Sequence, residues 1–204
     1  MITCGPVWVA VDPMRVISNR SSGELGHLIA QKLKNKGADV TLLEGQVTHP
    51  WDPGKITVKK FRFFDELNVL LRKELKKKFD VIIHLAAVAD FELQNRFRHK
   101  ISSNLKQLKL TLIPTKKLID DIKKIKPKAM LIGFKFEPRL GRNSIGAKIS
   151  HLFKRAHCDL VVINSIKEHQ YKGYIVNRSK NILARADSRS AMAQNLAILL
   201  SHRL

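Results

Sequence analysis

Residues Asp12 to Gly26 have the sequence D-P-M-R-V-I-S-N-R-S-S-G-E-L-G, and this stretch decides the fold of the chain. A short apolar run from Met1 to Thr3 precedes it, and apolar residues at helical spacing follow it from Leu25 to Leu33. The pattern predicts a strand, a loop of small polar residues and a helix. Such an arrangement binds phosphate in α/β proteins, because the helix N-terminus offers free N–H groups and the positive end of the helix dipole.

Two serines and a glycine mark the predicted start of this helix. Ser21 and Ser22 are expected to cap it, and Gly23 is expected to let a ligand approach the backbone closely. An ordinary capped helix explains these three residues equally well. Arg15 and Asn19 beside the turn favour a binding loop, because capping does not require them.

The rest of the chain alternates predicted strands and helices. This alternation predicts an α/β fold: a Rossmann-like, mainly parallel sheet with helices on both faces and a small C-terminal β-hairpin, in a single domain over residues 1–204. Residues 6–13 and 88–98 are expected to be loops. The predicted strands cover residues 1–5, 40–43, 56–61, 81–85, 108–112, 130–136, 160–163, 174–176 and 182–184, and the predicted helices cover residues 22–36, 65–78, 118–125, 145–156 and 188–200.

The chain is strongly basic, with 38 Lys and Arg against 17 Asp and Glu and a net charge of +21. Such a charge attracts anions, whether nucleotide, phosphorylated substrate or nucleic acid. Most basic residues fall on predicted helix faces, where solvated side chains are the commoner explanation. Aromatic residues are only 6% of the chain and do not alternate with basic ones as a base-stacking surface would. Specific nucleic-acid binding is therefore not expected.

The cysteines and the hydrophobic runs suggest a cytoplasmic protein. Cys4 and Cys158 are far apart and form no C-x-x-C pair, which fits a reducing compartment. No apolar run approaches the roughly 20 residues that span a bilayer, and no signal-peptide pattern is found. The histidines show no metal-ligand spacing. We expect neither a membrane contact nor a metal site formed by the protein alone.

Five segments in order along the chain resemble phosphopantothenoylcysteine synthetase, the phosphopantothenate–cysteine ligase of coenzyme A synthesis, in the DNA/pantothenate metabolism flavoprotein C-terminal domain family. The resemblance covers nearly the whole chain, and ordered motifs are more specific than one glycine loop. The matching segments are D-P-M-R-V-I-S-N-R-S-S-G at residues 12–23, L-A-A-V-A-D at 85–90, H-K-I-S-S at 99–103, G-F-K-F-E at 133–137 and C-D-L-V-V-I-N at 158–164.

The resemblance implies roles for particular residues. Asn19 matches the asparagine that holds an acyl-nucleotide intermediate, and an amide suits this role because it both donates and accepts hydrogen bonds. Lys100 matches the lysine of the nucleotidyl step, where its charge would stabilise the transition state at the α-phosphate. The resemblance implies that Arg15 and Ser21 contact the substrate. The implied nucleotide-binding residues are Gly5, Ser22, Gly23, Ala86, Ala87, Asp90, Lys116, Lys117 and Phe134.

Three departures from the family pattern bear on these roles. H-K-I-S-S lacks the further lysines of the commoner bifunctional enzymes and is similar to the stand-alone members, so we expect no flavin-binding decarboxylase domain ahead of Met1. Pro114 is displaced in the loop of Lys116 and Lys117, which shifts the alignment there by one residue. Ala156 stands where the family has a lysine, which leaves the triphosphate contacts open.

The reaction implied by the resemblance joins an acid to an amine. The carboxylate of 4′-phosphopantothenate attacks the α-phosphate of CTP or ATP, pyrophosphate leaves, and cysteine then attacks the acyl-nucleotide. Mg²⁺ is expected to arrive with the triphosphate, because few carboxylates lie near the motifs. The resemblance also implies a homodimer, for which a hairpin at Tyr174 to Ala184 would provide an edge.

Two other functions remain open from the residues alone. The first is an NAD(P)-dependent Rossmann oxidoreductase, although S-S-G-E-L-G departs from G-x-G-x-x-G and Glu44 is the only candidate acid for ribose binding. The second is a basic nucleic-acid-binding protein that uses the +21 charge, which would bind DNA with a steep salt dependence.

Overall fold

A central eight-stranded sheet dominates the architecture. The structure is a computed structural model that describes residues 1–48, 50–141 and 144–201. Within these ranges the strands are β1 (Ile2–Cys4), β2 (Trp8–Ala10), β3 (Val16–Ser18), β4 (Thr41–Glu44), β5 (Thr57–Lys60), β6 (Val81–His84), β7 (Phe91–Leu93), β8 (Leu112–Pro114), β9 (Met130–Phe136), β10 (Leu160–Lys167), β11 (Gln170–Asn177) and β12 (Ile182–Ala186). The helices are α1 (Glu24–Asn35), α2 (Phe64–Glu74), α3 (Ile119–Ile125), α4 (Ile145–Lys154) and α5 (Arg189–Ser201).

The order of the main sheet is β12-β11-β10-β9-β6-β1-β4-β5. All neighbours from β10 to β5 are parallel, whereas β11 and β12 are antiparallel. In this register Thr3 of β1 lies beside Leu43 of β4 and His84 of β6. The carboxyl ends of β1, β4 and β6 therefore meet at one edge, as the prediction of a parallel sheet required.

Helices cover both faces of the sheet, which confirms the predicted α/β class. α1 and α5 pack together on one face, where Ile29 and Leu196 are fully buried. α2, α3 and α4 pack on the other face through residues such as Leu67 and Ile149, also fully buried. The strands between them are continuous apolar runs because both of their faces are covered.

Two small antiparallel sheets were missed by the sequence analysis. β2 pairs with β3, so the predicted loop over residues 6–13 contains a strand. β7 pairs with β8, so a second strand lies in the predicted loop over residues 88–98. The predicted strand at 108–112 is wrong, because the strand begins only at Leu112. Leu108 and Leu110, whose alternation suggested it, are exposed.

The predicted C-terminal hairpin is confirmed: β11 pairs antiparallel with β12, and both strands belong to the main sheet. A further hairpin precedes it. β10 and β11 are joined by a two-residue turn at Glu168 and His169, whose φ angles of 50° and 64° are those of a type I′ turn. β11 lies between β10 and β12, so β12 forms the outer edge. No helix in the described part of the chain has the length and apolarity needed to cross a membrane.

Candidate active site

A cleft of about 700 Å³ opens at the carboxyl ends of β1, β6 and β9, in front of the N-terminus of α1. Gly5 follows β1, Ser22 and Gly23 precede α1, and the turn of Ala86 and Ala87 follows β6. The parallel register brings these loops to one place although they are distant in sequence. This is the position at which open α/β sheets bind ligands.

Gly23 is the N-cap of α1, and its backbone is left-handed, with φ 79°. A side chain would be strained there, and a Cβ would lie 2.5 Å from Cγ1 of Val47. The expected serine cap is wrong: α1 begins at Glu24 and has no side-chain cap. Ser22 only accepts a long hydrogen bond of 3.4 Å from the Glu24 N–H. The first N–H groups of α1 therefore face the cleft without a serine cap.

Asn19 joins the loop after β3 to the loop after β6. Its Nδ2 donates to the carbonyl oxygens of Ala87 and Val88, each at 3.3 Å. The residue is exposed and lines the cleft together with Ser21. Two segments of the family signature, separated by 68 residues at this contact, are thus held side by side.

Asp90 and Lys117 form an ion pair at the rim of the cleft. The Thr115 N–H donates to the Asp90 carbonyl at 3.0 Å, and its hydroxyl donates to the Ala89 carbonyl. These bonds fix the two loops that carry the pair. Lys116 lies outside the described lining of the cleft and pairs at 2.6 Å with Asp121, whose pKa this contact lowers.

His84 lies at the end of β6 and lines the cleft, and the sequence analysis missed it. Its Nδ1 is 3.0 Å from Oγ1 of Thr3, which also accepts the N–H groups of Leu85 and Ala86. These two bonds occupy the lone pairs of the hydroxyl, so its proton points to Nδ1 and the ring carries its own proton on Nε2. Burial lowers the pKa of His84 to about 4, which keeps the ring neutral at pH 7.

Several basic side chains also line the cleft. Lys135 and Phe134 from β9 both line it, as do His151 and Arg155 around α4. Burial, followed by the charges of Lys135 and Arg155, lowers the pKa of His151. Arg189, from α5 on the opposite face of the sheet, lines the cleft as well. Arg155 lies one residue before Ala156, the position where the family lysine is replaced. The sequence analysis named Phe134 but none of these basic side chains, for which only the overall charge of the chain gave a hint.

Arg15 and Lys100 lie outside the described residues that line the cleft. Arg15 pairs with Asp12 at 2.6 Å and donates to the Ile101 carbonyl at 3.2 Å. Lys100 is exposed and precedes Ile101 directly. The two predicted residues therefore lie close to each other through Ile101, and neither belongs to the described lining of the cleft.

Cys4, His27 and Glu44 form a buried group below the cleft whose ligand atoms lie within 4.8 Å of one another. Nε2 of His27 and Nε1 of Trp51 each contact Oε1 of Glu44 at 2.7 Å, and the two rings stack. Burial, followed by the charge of Glu44, raises the pKa of the Cys4 thiol. A metal ligated by Cys4 would need the thiolate, which burial disfavours, so hydrogen bonding and ring stacking explain the group better. Glu44 is also too enclosed to bind a ribose.

Comparison with known proteins decides the family. The sequence pattern of the DNA/pantothenate metabolism flavoprotein C-terminal domain matches residues 1–198. The chain belongs to this family. The family identification made from the five motifs is therefore confirmed.

Relatives and solved structures agree with this assignment. The coenzyme A biosynthesis bifunctional protein CoaBC of Thermococcus kodakarensis is 37% identical over 169 residues, which are 82% of this chain and 41% of that protein. The chain thus spans about two fifths of that relative's length. The DNA/pantothenate metabolism flavoprotein from Streptococcus pneumoniae shares the fold, with a TM-score of 0.87, 22% identity and coverage of 100% of this chain and 98% of that one. A Cab2 mutant in complex with phosphopantothenate-cysteine shares it with a TM-score of 0.79, 19% identity and coverage of 99% and 85%.

Proposed function

We propose that the chain is a ligase that condenses 4′-phosphopantothenate with cysteine through an acyl-nucleotide intermediate. Family membership and the similarity to a bifunctional protein of coenzyme A biosynthesis support the reaction class. One observation carries the proposal. Asn19, the Ala86–Ala87 turn and Asp90 surround a single cleft at the N-terminus of α1. The Cab2 relative of the same fold binds phosphopantothenate-cysteine.

In the proposed first half-reaction, the substrate carboxylate attacks the α-phosphate and pyrophosphate leaves. Activation is needed because a free carboxylate does not form an amide in water. Lys117, Lys135, Arg155 and Arg189 line the cleft and each pairs with a carboxylate. On nucleotide binding these cations would also contact phosphate oxygens and offset part of the charge of the triphosphate. The N-terminus of α1 adds N–H donors for phosphate oxygens. Lys100 would stabilise charge that develops at the α-phosphate, for which its long exposed side chain is suited.

In the proposed second half-reaction, the cysteine amine attacks the acyl carbon and the nucleoside monophosphate leaves. Asn19 would hold the acyl-nucleotide through its amide, and Ser21 and Arg15 would help to bind the pantothenate portion. Ser22, Gly5 and Phe134 are proposed to contact the nucleotide, because they line the same cleft. Alignment and charge stabilisation account for most of the catalysis expected in such a reaction.

Mg²⁺ is proposed to enter with the nucleotide, whether CTP or ATP, and to shield its phosphate charge. The carboxylates that line the described cleft are already paired: Glu24 with Arg189 at 3.3 Å, Asp90 with Lys117, and Asp120 with Arg155 at 2.7 Å. Carboxylates in ion pairs are poor candidates for a metal cage formed by protein alone. The phosphates themselves would then provide the ligands.

Pyrophosphate release tests the proposal directly. The purified chain is given phosphopantothenate and either CTP or ATP, with and without cysteine. We expect a single turnover without cysteine and continuous turnover with it, for one nucleotide more than for the other. No release with either nucleotide would refute the proposal. An NADPH titration of protein fluorescence, expected to show no saturable binding, separates the ligase from an oxidoreductase.

We also propose a cytoplasmic homodimer. Apolar side chains are exposed on the two small sheets, among them Val16, Phe91 and Ile113 at 39–53% exposure, and a second copy would cover them. β12, the outer strand of the predicted hairpin, offers a further sheet edge. Both cysteines have free thiols, as in a reducing compartment. Light scattering should give a mass of two chains at micromolar concentration, and a mass of one chain would contradict the dimer.

A further inference from the structure

The carboxylate of Asp12 is enclosed and saturated with hydrogen bonds. Its side chain has no exposed surface. Oδ1 accepts the N–H groups of Met14 and Arg15, both at 2.8 Å, and Oδ2 accepts Nη1 of Arg15 at 2.6 Å and the Ile101 N–H at 3.1 Å. A turn between β2 and β3 needs only the two bonds at Oδ1. At Oδ2 the bond from the Ile101 N–H joins Asp12 to a segment 89 residues further along the chain, and the other bond comes from the nearby Arg15.

Asp12 and Arg15 together hold both backbone groups of Ile101. Asp12 accepts its N–H, and Nη1 of Arg15 donates to its carbonyl oxygen at 3.2 Å. The Ile101 side chain is buried against Val9 and Val11 of the same hairpin region. Burial would raise the pKa of Asp12, but the hydrogen bonds from Ile101, Met14 and Arg15 outweigh it and lower the pKa to about 2. The carboxylate is therefore charged at every physiological pH.

The contact at Ile101 joins two segments that carry proposed site residues. Lys100 immediately precedes Ile101, and residues 94–111, all of them described, form neither helix nor strand. Asn19 follows β3, the strand that pairs with β2 on the other side of the Asp12 turn. The contact at Ile101 therefore ties the segment with Lys100 to the hairpin with Asn19.

We propose that Asp12 and Arg15 are positioning residues that clamp Ile101 and so set the place of Lys100 relative to Asn19. The inference rests on the proposed ligase function, in which Lys100 acts in the formation of the acyl-nucleotide and Asn19 holds it. It also gives Arg15 a role through the Ile101 backbone in addition to the substrate contact implied by the resemblance. A displacement of about 1 Å at a reacting group can cost roughly 100-fold in rate, so a clamp on a segment without secondary structure matters for catalysis.

A double-mutant cycle tests the clamp. Asp12→Asn keeps the size and Oδ1 of the side chain but replaces the oxygen that accepts the Ile101 N–H by an amide donor. We expect single-turnover pyrophosphate release without cysteine to fall about 10- to 100-fold. In the Lys100→Gln background Asp12→Asn should slow pyrophosphate release by less than about 3-fold, because the ammonium group that the clamp positions is already absent. Coupling of cysteine to pre-formed acyl-nucleotide should change little.

Asp159→Asn is the matched control. Asp159 also accepts a backbone N–H, from Leu131 at 2.8 Å, and pairs with Lys123 at 2.7 Å, but it lies outside the described cleft. We expect it to lower stability without changing pyrophosphate release. The proposal would be overturned if Asp12→Asn slowed pyrophosphate release equally with and without Lys100. It would also be overturned if Asp12→Asn slowed both half-reactions equally.

Hydrogen exchange gives a readout that does not depend on activity. Mass spectrometry of a peptide that contains Ile101 should show faster exchange in Asp12→Asn, while exchange in α1 stays as in the parent. If Asp12→Asn does not fold, Arg15→Met, at a half-exposed position, should give the same pattern with smaller effects. Unchanged exchange at Ile101 would overturn the clamp even in an active enzyme. A parent without pyrophosphate release would instead refute the proposed function.

Discussion

Gly23→Ala tests whether the backbone at the start of α1 is held as the structure shows. At φ 79° an L-residue is strained by about 1–2 kcal/mol. The new Cβ would also lie 2.5 Å from Cγ1 of Val47, and overpacking of this kind costs about 1–3 kcal/mol. The two effects together should lower the free energy of unfolding by about 2–5 kcal/mol.

Gly37→Ala separates these two effects. Gly37 has φ 89°, but a Cβ there would meet nothing within 4 Å. Gly37→Ala should therefore lower the free energy of unfolding only by the backbone strain of about 1–2 kcal/mol. Removing the contact atom in Val47→Ala provides a second comparison, because Gly23→Ala in that background should cost no more than Gly37→Ala.

Urea unfolding followed by circular dichroism measures all four proteins against the parent. For a chain of this length each 1 kcal/mol corresponds to about 2–4 °C in Tm, so thermal unfolding offers an independent check. Equal costs for Gly23→Ala and Gly37→Ala would show that Val47 does not restrict the loop. A cost near zero for Gly23→Ala would mean that the left-handed backbone is not maintained.

Three further predictions concern the proposed site residues and His84. Asn19→Asp should lower the free energy of unfolding by no more than about 1–2 kcal/mol, because only two long exposed hydrogen bonds are lost. Ligase turnover should nevertheless collapse, and turnover near the parental rate would show that Asn19 does not hold the intermediate. Lys100→Gln should slow pyrophosphate release roughly 100- to 1000-fold, with less effect on cysteine coupling, whereas the surface control Lys73→Gln should change neither step. The pKa of His84 is about 6.5 in the unfolded chain and about 4 in the folded protein, so the free energy of unfolding should fall as the pH drops from 6.5 to 4. His84→Gln should flatten that part of the pH–stability curve. An unchanged curve would show that His84 is not buried as a neutral ring.

Local patterns along the sequence sufficed for the main elements of the fold. Met130–Phe136 was predicted with its observed bounds, because a strand covered on both faces is apolar at nearly every position. The same local reading marked the loop at Gly23 and the turn at Ala86, which line one cleft because parallel strands end at a common edge. The motifs identified the family for the same reason: each is a short contiguous segment.

Only the tertiary structure decided how distant residues pair. β7 and β8 are short, partly exposed strands whose pairing depends on contacts across an 18-residue segment, so no periodicity marks them. Adjacent Lys116 and Lys117 have different partners, Asp121 and Asp90, because the chain changes direction between strand and helix. The clamp at Ile101 is invisible in sequence for the same physical reason. Hydrogen bonds and ion pairs form between atoms that are close in space, and local periodicity contains no information about such distances.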